Sequence, residues 1–213
     1  MKAILEIGEA KYQFDLKRGI DLSIPMQSGS QNPNAFQIPP PLFEPIRLGD
    51  YTGSVKEGGG VNCENLLINP HGNGTHTECI GHITSEKITI NKCLSQFFFM
   101  AQLVSITPQI QANGDSILEL KNLPNIVNSH ITALLIRTLP NATFKLNQQY
   151  SGQNPCYLEP ALCMHLVHEG IQHLLVDLPS VDKENDNGQL LAHKAFWTYP
   201  ENPRLDATIS EMI

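Results

Sequence analysis

Apolar and polar residues alternate twice near the start of the chain, over 3–7 (Ala-Ile-Leu-Glu-Ile) and 11–16 (Lys-Tyr-Gln-Phe-Asp-Leu), on either side of Gly8-Glu9-Ala10. Period-two alternation around a glycine turn predicts a β-hairpin. The pattern then breaks. From Asp21 to about Gly60 the chain is dense in Pro, Gly, Gln and Asn and includes Pro39-Pro-Pro41, which precludes long helices and central strands. Irregular chain of that length inside a compact fold usually lines a site or an interface.

Patterning resumes at Glu64-Asn-Leu-Leu-Ile-Asn69, which reads as a strand stopped by Pro70, so the residues that follow are expected on the loop at its end. An amphiphilic segment at 88–97 leads into a predicted strand at 98–106, and Asn113-Gly114-Asp115 marks a turn. In the second half, a short apolar run at 131–139, apolar residues at helical spacing over 158–169 closed by Gly170, and another apolar run at 171–178 predict a βαβ unit. Such a unit implies a parallel strand pair with a right-handed crossover. A loop at 179–188, a short helix at 190–197 and a closing strand at 207–213 complete the chain. The expected fold class is α/β, with a mixed sheet and the βαβ unit in the second half. At 213 residues a single domain over 1–213 is expected.

Composition narrows the partners. Lys and Arg number 14 against 21 Asp and Glu, a net charge of -7, and the basic residues are scattered, which argues against nucleic acid as the ligand. Charges interrupt the apolar residues at the start before a signal-peptide core or a membrane span forms, so no membrane partner is expected and the cytoplasm is the expected location. The five cysteines have irregular spacing and no CxxC pair, which reads as reduced, mostly buried thiols.

Candidate chemistry concentrates in one stretch. Three of the eight histidines and a carboxylate fall in His71-Gly-Asn-Gly-Thr-His76-Thr-Glu78-Cys-Ile-Gly-His82. Gly72 and Gly74, free to adopt positive φ, would allow a tight coil there. In an extended segment His76 and Glu78 share one face, and imidazole with carboxylate suits zinc, manganese or iron. A catalytic ion of that kind needs about three protein ligands and an open position, so further ligands are expected among His193, Asp177, Asp182 and Glu211. His130, His165, His168 and His173 sit in or beside helix and strand patterns where surface or core roles suffice. GxGxxG, GxxxxGK[ST] and GxSxG do not occur, which sets aside phosphate-cradling loops and a serine-hydrolase elbow.

These residues resemble the pattern HxGTHxDxPxH of the putative cyclase family, which includes bacterial kynurenine formamidase and isatin hydrolase. The likeness extends to Asp21-Leu-Ser-Ile-Pro-Met, to Leu135-Ile-Arg137-Thr138, to Val176-Asp177-Leu-Pro179-Ser180-Val181-Asp182, and to Leu191-Ala-His193 and Ile209-Ser-Glu211. The chain differs in having its first two histidines five apart rather than four, and in carrying Glu78 where the family has Asp. The resemblance implies a swivelling β/β/α fold, a homodimer or higher homo-oligomer, and one or two ions of Zn2+ or Mn2+ per subunit. It implies that His71, His76 and Glu78 bind one ion, that Glu78, His193 and Glu211 bind a second, and that His82 is the catalytic acid and base. The implied activity is hydrolysis of a carbon–nitrogen bond in a small molecule such as an aryl formamide, by metal-activated water attacking a carbonyl. A cyclase, dehydratase or lactone hydrolase on the same scaffold, or a metal-binding protein without turnover, are the alternatives.

Overall fold

Strands buried on both faces of a sheet need near-continuous apolar runs, and the two runs of the second half meet that demand. A computed structural model describes residues 1–127 and 129–213, and in it these runs form the strands Ala133–Thr138 and His173–Val176, paired in parallel with Ala133 beside His173 and Ile136 beside Val176. Ala101–Ile106 joins the outer side of the first and Thr208–Glu211 the outer side of the second, both in parallel. His76–Cys79 pairs antiparallel with Thr208–Glu211 and closes the far edge. The result is a mixed five-stranded sheet in the order 76–79, 208–211, 173–176, 133–138, 101–106.

The crossover between the central strands is the helix Pro160–His168, with proline in its first turn. It ends where Gly170 adopts φ +80° and the Ile171 amide bonds back to the Leu166 carbonyl. A second helix, Leu191–Trp197, links His173–Val176 to Thr208–Glu211 and packs on the first. Leu134, Ile136, Leu162, Leu166, Leu174, Phe196, Trp197 and Ile209 are fully buried in one core between helices and sheet. Each such side chain contributes roughly 1.5–3 kcal/mol by leaving water. The βαβ unit, the closing helix and the closing strand stand where the periodicity places them.

The first third of the chain is built differently. Lys2–Ile7 and Ala10–Asp15 form the expected hairpin, with Gly8 at φ +57° in its turn. Leu42–Pro45 pairs with Glu64–Leu67 in a second two-stranded ribbon, a strand that the density of proline and glycine around it conceals in the sequence. Among the described residues before Cys79, the buried apolar side chains are Pro33, Ala35 and Pro41. Ile4, Phe14, Leu42, Leu66 and Leu67 are exposed, and all four residues of Glu64–Leu67 are. Two expectations shift in extent: the segment at 88–97 is helical only over Ile90–Cys93, and the strand expected from 98 begins at Ala101, with Phe97 and Phe98 left outside the sheet and exposed. Among the described residues no helix is long and apolar enough to cross a membrane.

The loop after His173–Val176, which leads to the second helix, is pinned by a buried carboxylate. Asp115 accepts both contacts from Lys183 Nζ at 2.7 Å, the Asn154 amide at 2.9 Å and the Tyr157 hydroxyl at 3.0 Å. The Lys183 ammonium foremost, with the Asn154 amide, holds the Asp115 carboxyl well below the usual carboxylate range. A depressed folded value stabilises the fold at pH above the unfolded value near 4 and is lost as pH falls below it. Asp115→Asn is therefore expected to lower the urea midpoint at pH 7 and to converge on the unaltered protein as the pH falls below about 4. Equal midpoints at pH 7 would contradict this.

Candidate metal centre

The histidine stretch is not a loop. Asn69 caps a single helical turn, Pro70–Asn73, its side chain accepting the His71 amide at 3.1 Å, while its own amide donates to Asn73 Oδ1 at 2.8 Å. The glycines here serve close approach rather than positive φ. A Cβ on Gly72 would lie 2.5 Å from Ile38 Cγ1 and 3.1 Å from the Ala35 carbonyl, and Gly74 is extended at φ 167°. The Thr75 hydroxyl then donates to the Met212 carbonyl and accepts the Ile24 amide, tying the entry of the edge strand to the chain's last residues and to the Asp21 segment.

The edge strand sets the geometry. Side chains two apart share a face, so His76 and Glu78 point the same way, and the register places Glu211 directly across from His76. Thr77 and Ser210 face each other on the opposite side, their hydroxyls 2.7 Å apart. His76 Nδ1 donates to the Gly74 carbonyl at 3.0 Å, which turns Nε2 toward Glu211 Oε2 at 3.4 Å. Glu78 lies at the centre: Oε1 is 2.9 Å from His193 Nε2, and Oε2 is 3.2 Å from His71 Nδ1 and 3.5 Å from His82 Nδ1.

His193 arrives from the first turn of the helix Leu191–Trp197. Asp182 accepts the amides of Ala192 at 2.6 Å and His193 at 3.2 Å, satisfying free donors at the helix start, and its Oδ2 takes the His193 Nδ1 proton at 2.6 Å. One carboxylate thus fixes both the helix and the imidazole tautomer. Glu211 Oε1 accepts the Val181 amide at 2.9 Å and stands 3.9 Å from His193 Nε2. The Trp197 ring packs 5.3 Å from that of His193.

The expected residues converge, with some redistribution. Ligand-capable atoms of His71, His76 and Glu78 lie within 4.8 Å of one another, as do those of Glu78, His82 and His193. Glu211 stands beside both His76, at 3.4 Å, and His193, at 3.9 Å, and His82 joins Glu78 and His193 in the second group. Asp177 is elsewhere: it accepts the Thr138 amide and pairs with Lys145 Nζ at 2.7 Å. Asp182 stands behind His193. That role is not readable from residue type, because it depends on the helix start falling within reach of the carboxylate.

The electrostatics divide the cluster into floor and mouth. Glu78, His193 and Glu211 are almost wholly buried, whereas the side chains of His71 and His82 are 41% and 33% exposed. Burial pushes the Glu78 carboxyl up, but the hydrogen bond from His193 and the His71 imidazole beside it prevail and hold it well below the usual range. Glu211 is raised, first by burial and then by the Glu78 charge. Burial would lower His193, yet Asp182 and Glu78 on its two nitrogens hold it up at about 10. His82 is lowered by burial and by the neighbouring His71, His193 and His76, against the pull of Glu78.

His76 Nε2 and Glu78 Oε2 are buried without a hydrogen-bond partner. Orphaned polar atoms of this kind are costly to bury, and a lone pair on each facing inward suits a cation. Nitrogen and oxygen donors in this mix fit Zn2+ or Mn2+. Beside the cluster opens a cavity of about 290 Å³ lined by His71, His76, Glu78 and His82 and by Pro70, Ile88 and Ile90. Its rim depends on Gly81, where a Cβ would lie 1.9 Å from the Ile88 carbonyl. Gly81→Ala is expected to force the two segments apart and to lower stability by roughly 1–3 kcal/mol, measured by denaturant unfolding. An unchanged midpoint would show that this contact is slack.

The fold has counterparts among known proteins. A potential metal-dependent hydrolase with cyclase activity superposes with a TM-score of 0.56 at 14% identity, over 91% of this chain and 81% of its own. A predicted metal-dependent hydrolase from Bacillus stearothermophilus gives 0.57 at 12% identity, over 91% and 80%. An isatin hydrolase bound to the product analogue thioisatinate gives 0.49 at 10% identity, over 81% and 68%. No curated protein matches the sequence. The family model described as Putative cyclase matches residues 20–183, well over half of the sequence, and the chain belongs to that family, whose mixed α/β fold it has.

Proposed function

We propose that the protein is a divalent-metal hydrolase acting on the carbon–nitrogen bond of an amide, in an aryl formamide or a cyclic amide. What carries the reading is the pair of buried, partnerless atoms His76 Nε2 and Glu78 Oε2 beneath a mouth formed by His71 and His82. His71, His76 and Glu78, with His193 and Glu211, are the residues that would hold one or two ions, zinc or manganese by donor type. When bound, such an ion supplies Lewis acidity toward a carbonyl oxygen and lowers the pKa of water toward neutrality.

The remaining work falls to the chain. Asp182 retains the Nδ1 proton of His193 and so keeps the Nε2 side directed at Glu78. Glu211 is held by the Val181 amide and cannot swing away from His76 without breaking that bond. His82 sits at the mouth, stacked on His71 at 4.3 Å between ring centres, where an incoming substrate meets it. Its proposed role is to move a proton, taking it during attack and returning it to the departing amine.

Alanine at His76 or at Glu78 is expected to empty the site, read as metal content by elemental analysis. His82→Ala is expected to keep the metal while kcat drops about 10² to 10⁴-fold, and Asp182→Asn to weaken metal affinity about 10 to 100-fold. Purified protein without affinity for zinc or manganese, or a His82→Ala variant with full activity, would refute the reading.

We also propose that the protein works as a homodimer. Supporting this, a two-stranded ribbon is marginal in water by itself, yet Leu42–Pro45 with Glu64–Leu67 exposes leucines to solvent and leads directly into His71. Leu66→Glu combined with Leu67→Glu is expected to shift the mass in sedimentation from two copies to one. A single-copy mass for the unaltered protein at micromolar concentration would sink the idea.

A further inference from the structure

We infer that the site selects compact, uncharged amides, with Ile88 and Ile90 as the side chains that set this preference; the inference rests on the hydrolase reading above. The cavity over the histidines measures about 290 Å³, at the small end of ligand pockets, which suits one ring or a short acyl group. Its floor is formed by Glu78, paired with His193, and by the imidazoles of His71, His76 and His82, with His71 and His82 turned toward Glu78 and His76 toward Glu211. The walls beyond them are aliphatic, from Pro70, Ile88 and Ile90. A substrate places its reacting carbonyl over the floor and its remaining atoms against those walls.

The wall is held at a fixed distance from the reacting groups. Ile88 is pressed against the turn Ile80–His82 at Gly81, where there is no room even for a Cβ, and Cys79 Sγ approaches the Ile88 carbonyl at 3.8 Å. The same contact therefore positions His82 and the apolar surface facing it. Close-packed segments of this kind do not yield readily to admit a hydrated group. A carboxylate on the substrate would lose water against Pro70, Ile88 and Ile90 without gaining a partner from them, and would share the cavity with Glu78. An uncharged ring in the same place gains by burial instead.

Formanilide and 4-formamidobenzoate test this, because they differ by one carboxylate remote from the formyl group. Calorimetry on the metal-loaded protein is expected to give tighter binding of formanilide by about tenfold or more. Ile90→Lys places a cation on a half-exposed residue at the start of the short helix Ile90–Cys93, and is expected to shrink or invert that ratio with metal content unchanged. Ile88→Lys is the second variant should the first fail to fold. Equal or tighter binding of the carboxylate by the unaltered protein would overturn the inference, as would a ratio that neither lysine variant moves or no binding of either compound at millimolar concentration. Turnover in the same samples tests the hydrolase reading separately: selective binding without hydrolysis sustains the preference and defeats that reading.

Discussion

The antiparallel pairing of His76–Cys79 with Thr208–Glu211 is the constraint from which the site follows, because side chains on a strand alternate and a slip of one residue exchanges the faces. In the register adopted, His76, Glu78 and Glu211 project together and Thr77 meets Ser210 on the reverse side. Slipped by one, Thr77 and Cys79 would stand where His76 and Glu78 now do, and the carboxylate pair would be lost. Several contacts hold the register from outside the ladder, including the Thr75 hydroxyl on the Met212 carbonyl and the Met212 amide on the Leu178 carbonyl. The last residues of the chain thereby act on its seventy-fifth through direct hydrogen bonds, and the buried Ile209 beneath them ties the pairing to the core.

Much of this is legible in the sequence, and what is not has identifiable causes. The βαβ unit reads clearly because an apolar run, a helical spacing and a glycine stop coincide at 131–178. Where the structure places polar groups through local packing instead, periodicity has nothing to report. The turn Pro70–Asn73 is four residues long, too short to show a helical repeat, and its stability comes from Asn69 and Asn73 bonding each other. Gly72 and Gly81 invite the reading of backbone freedom, whereas both are needed because another segment passes too close for a Cβ. The strand Leu42–Pro45 is hidden since it follows three prolines and its partner lies about twenty residues on, across a glycine-rich stretch. Site residues were legible as types, His76, Glu78, His193 and Glu211 among them, but their grouping depends on distances no spacing encodes. Asp177 and Asp182 illustrate the point: both follow an apolar strand, and only the second reaches an imidazole.

The carboxylates of the floor explain why the histidines are arranged as they are. Two buried carboxylates near each other repel, so one tends to keep its proton, and the raised Glu211 beside the lowered Glu78 expresses that tension. His193, clasped between Asp182 and Glu78, supplies one positive charge against it. A single imidazolium offsets part of the charge of three nearby carboxylates, and His76 Nε2 and Glu78 Oε2 stay without partners. Divalent charge at that position would relieve the repulsion and satisfy both atoms at once. The stabilisation gained by binding N but not U then adds to that of the fold, which connects the chemistry of the site to the persistence of the edge strand.

Rigidity is distributed in the same sense. The floor belongs to the sheet and to the first turn of a helix locked by Asp182, so the groups suited to holding an ion sit on elements that lose little freedom when it binds. The mouth belongs to a single turn at His71 and a short turn at His82, both partly exposed and stacked on one another. A proton carrier must reach solvent as well as substrate, and the exposure of His82 suits the role proposed for it. The turn at His71 is in turn fed by the exposed ribbon Glu64–Leu67, and its order is limited by how firmly that ribbon is covered. Burial therefore grades from the sheet outward: the groups suited to holding an ion sit where motion is least, the more exposed imidazoles where access is greatest, and the leucines of the ribbon in water.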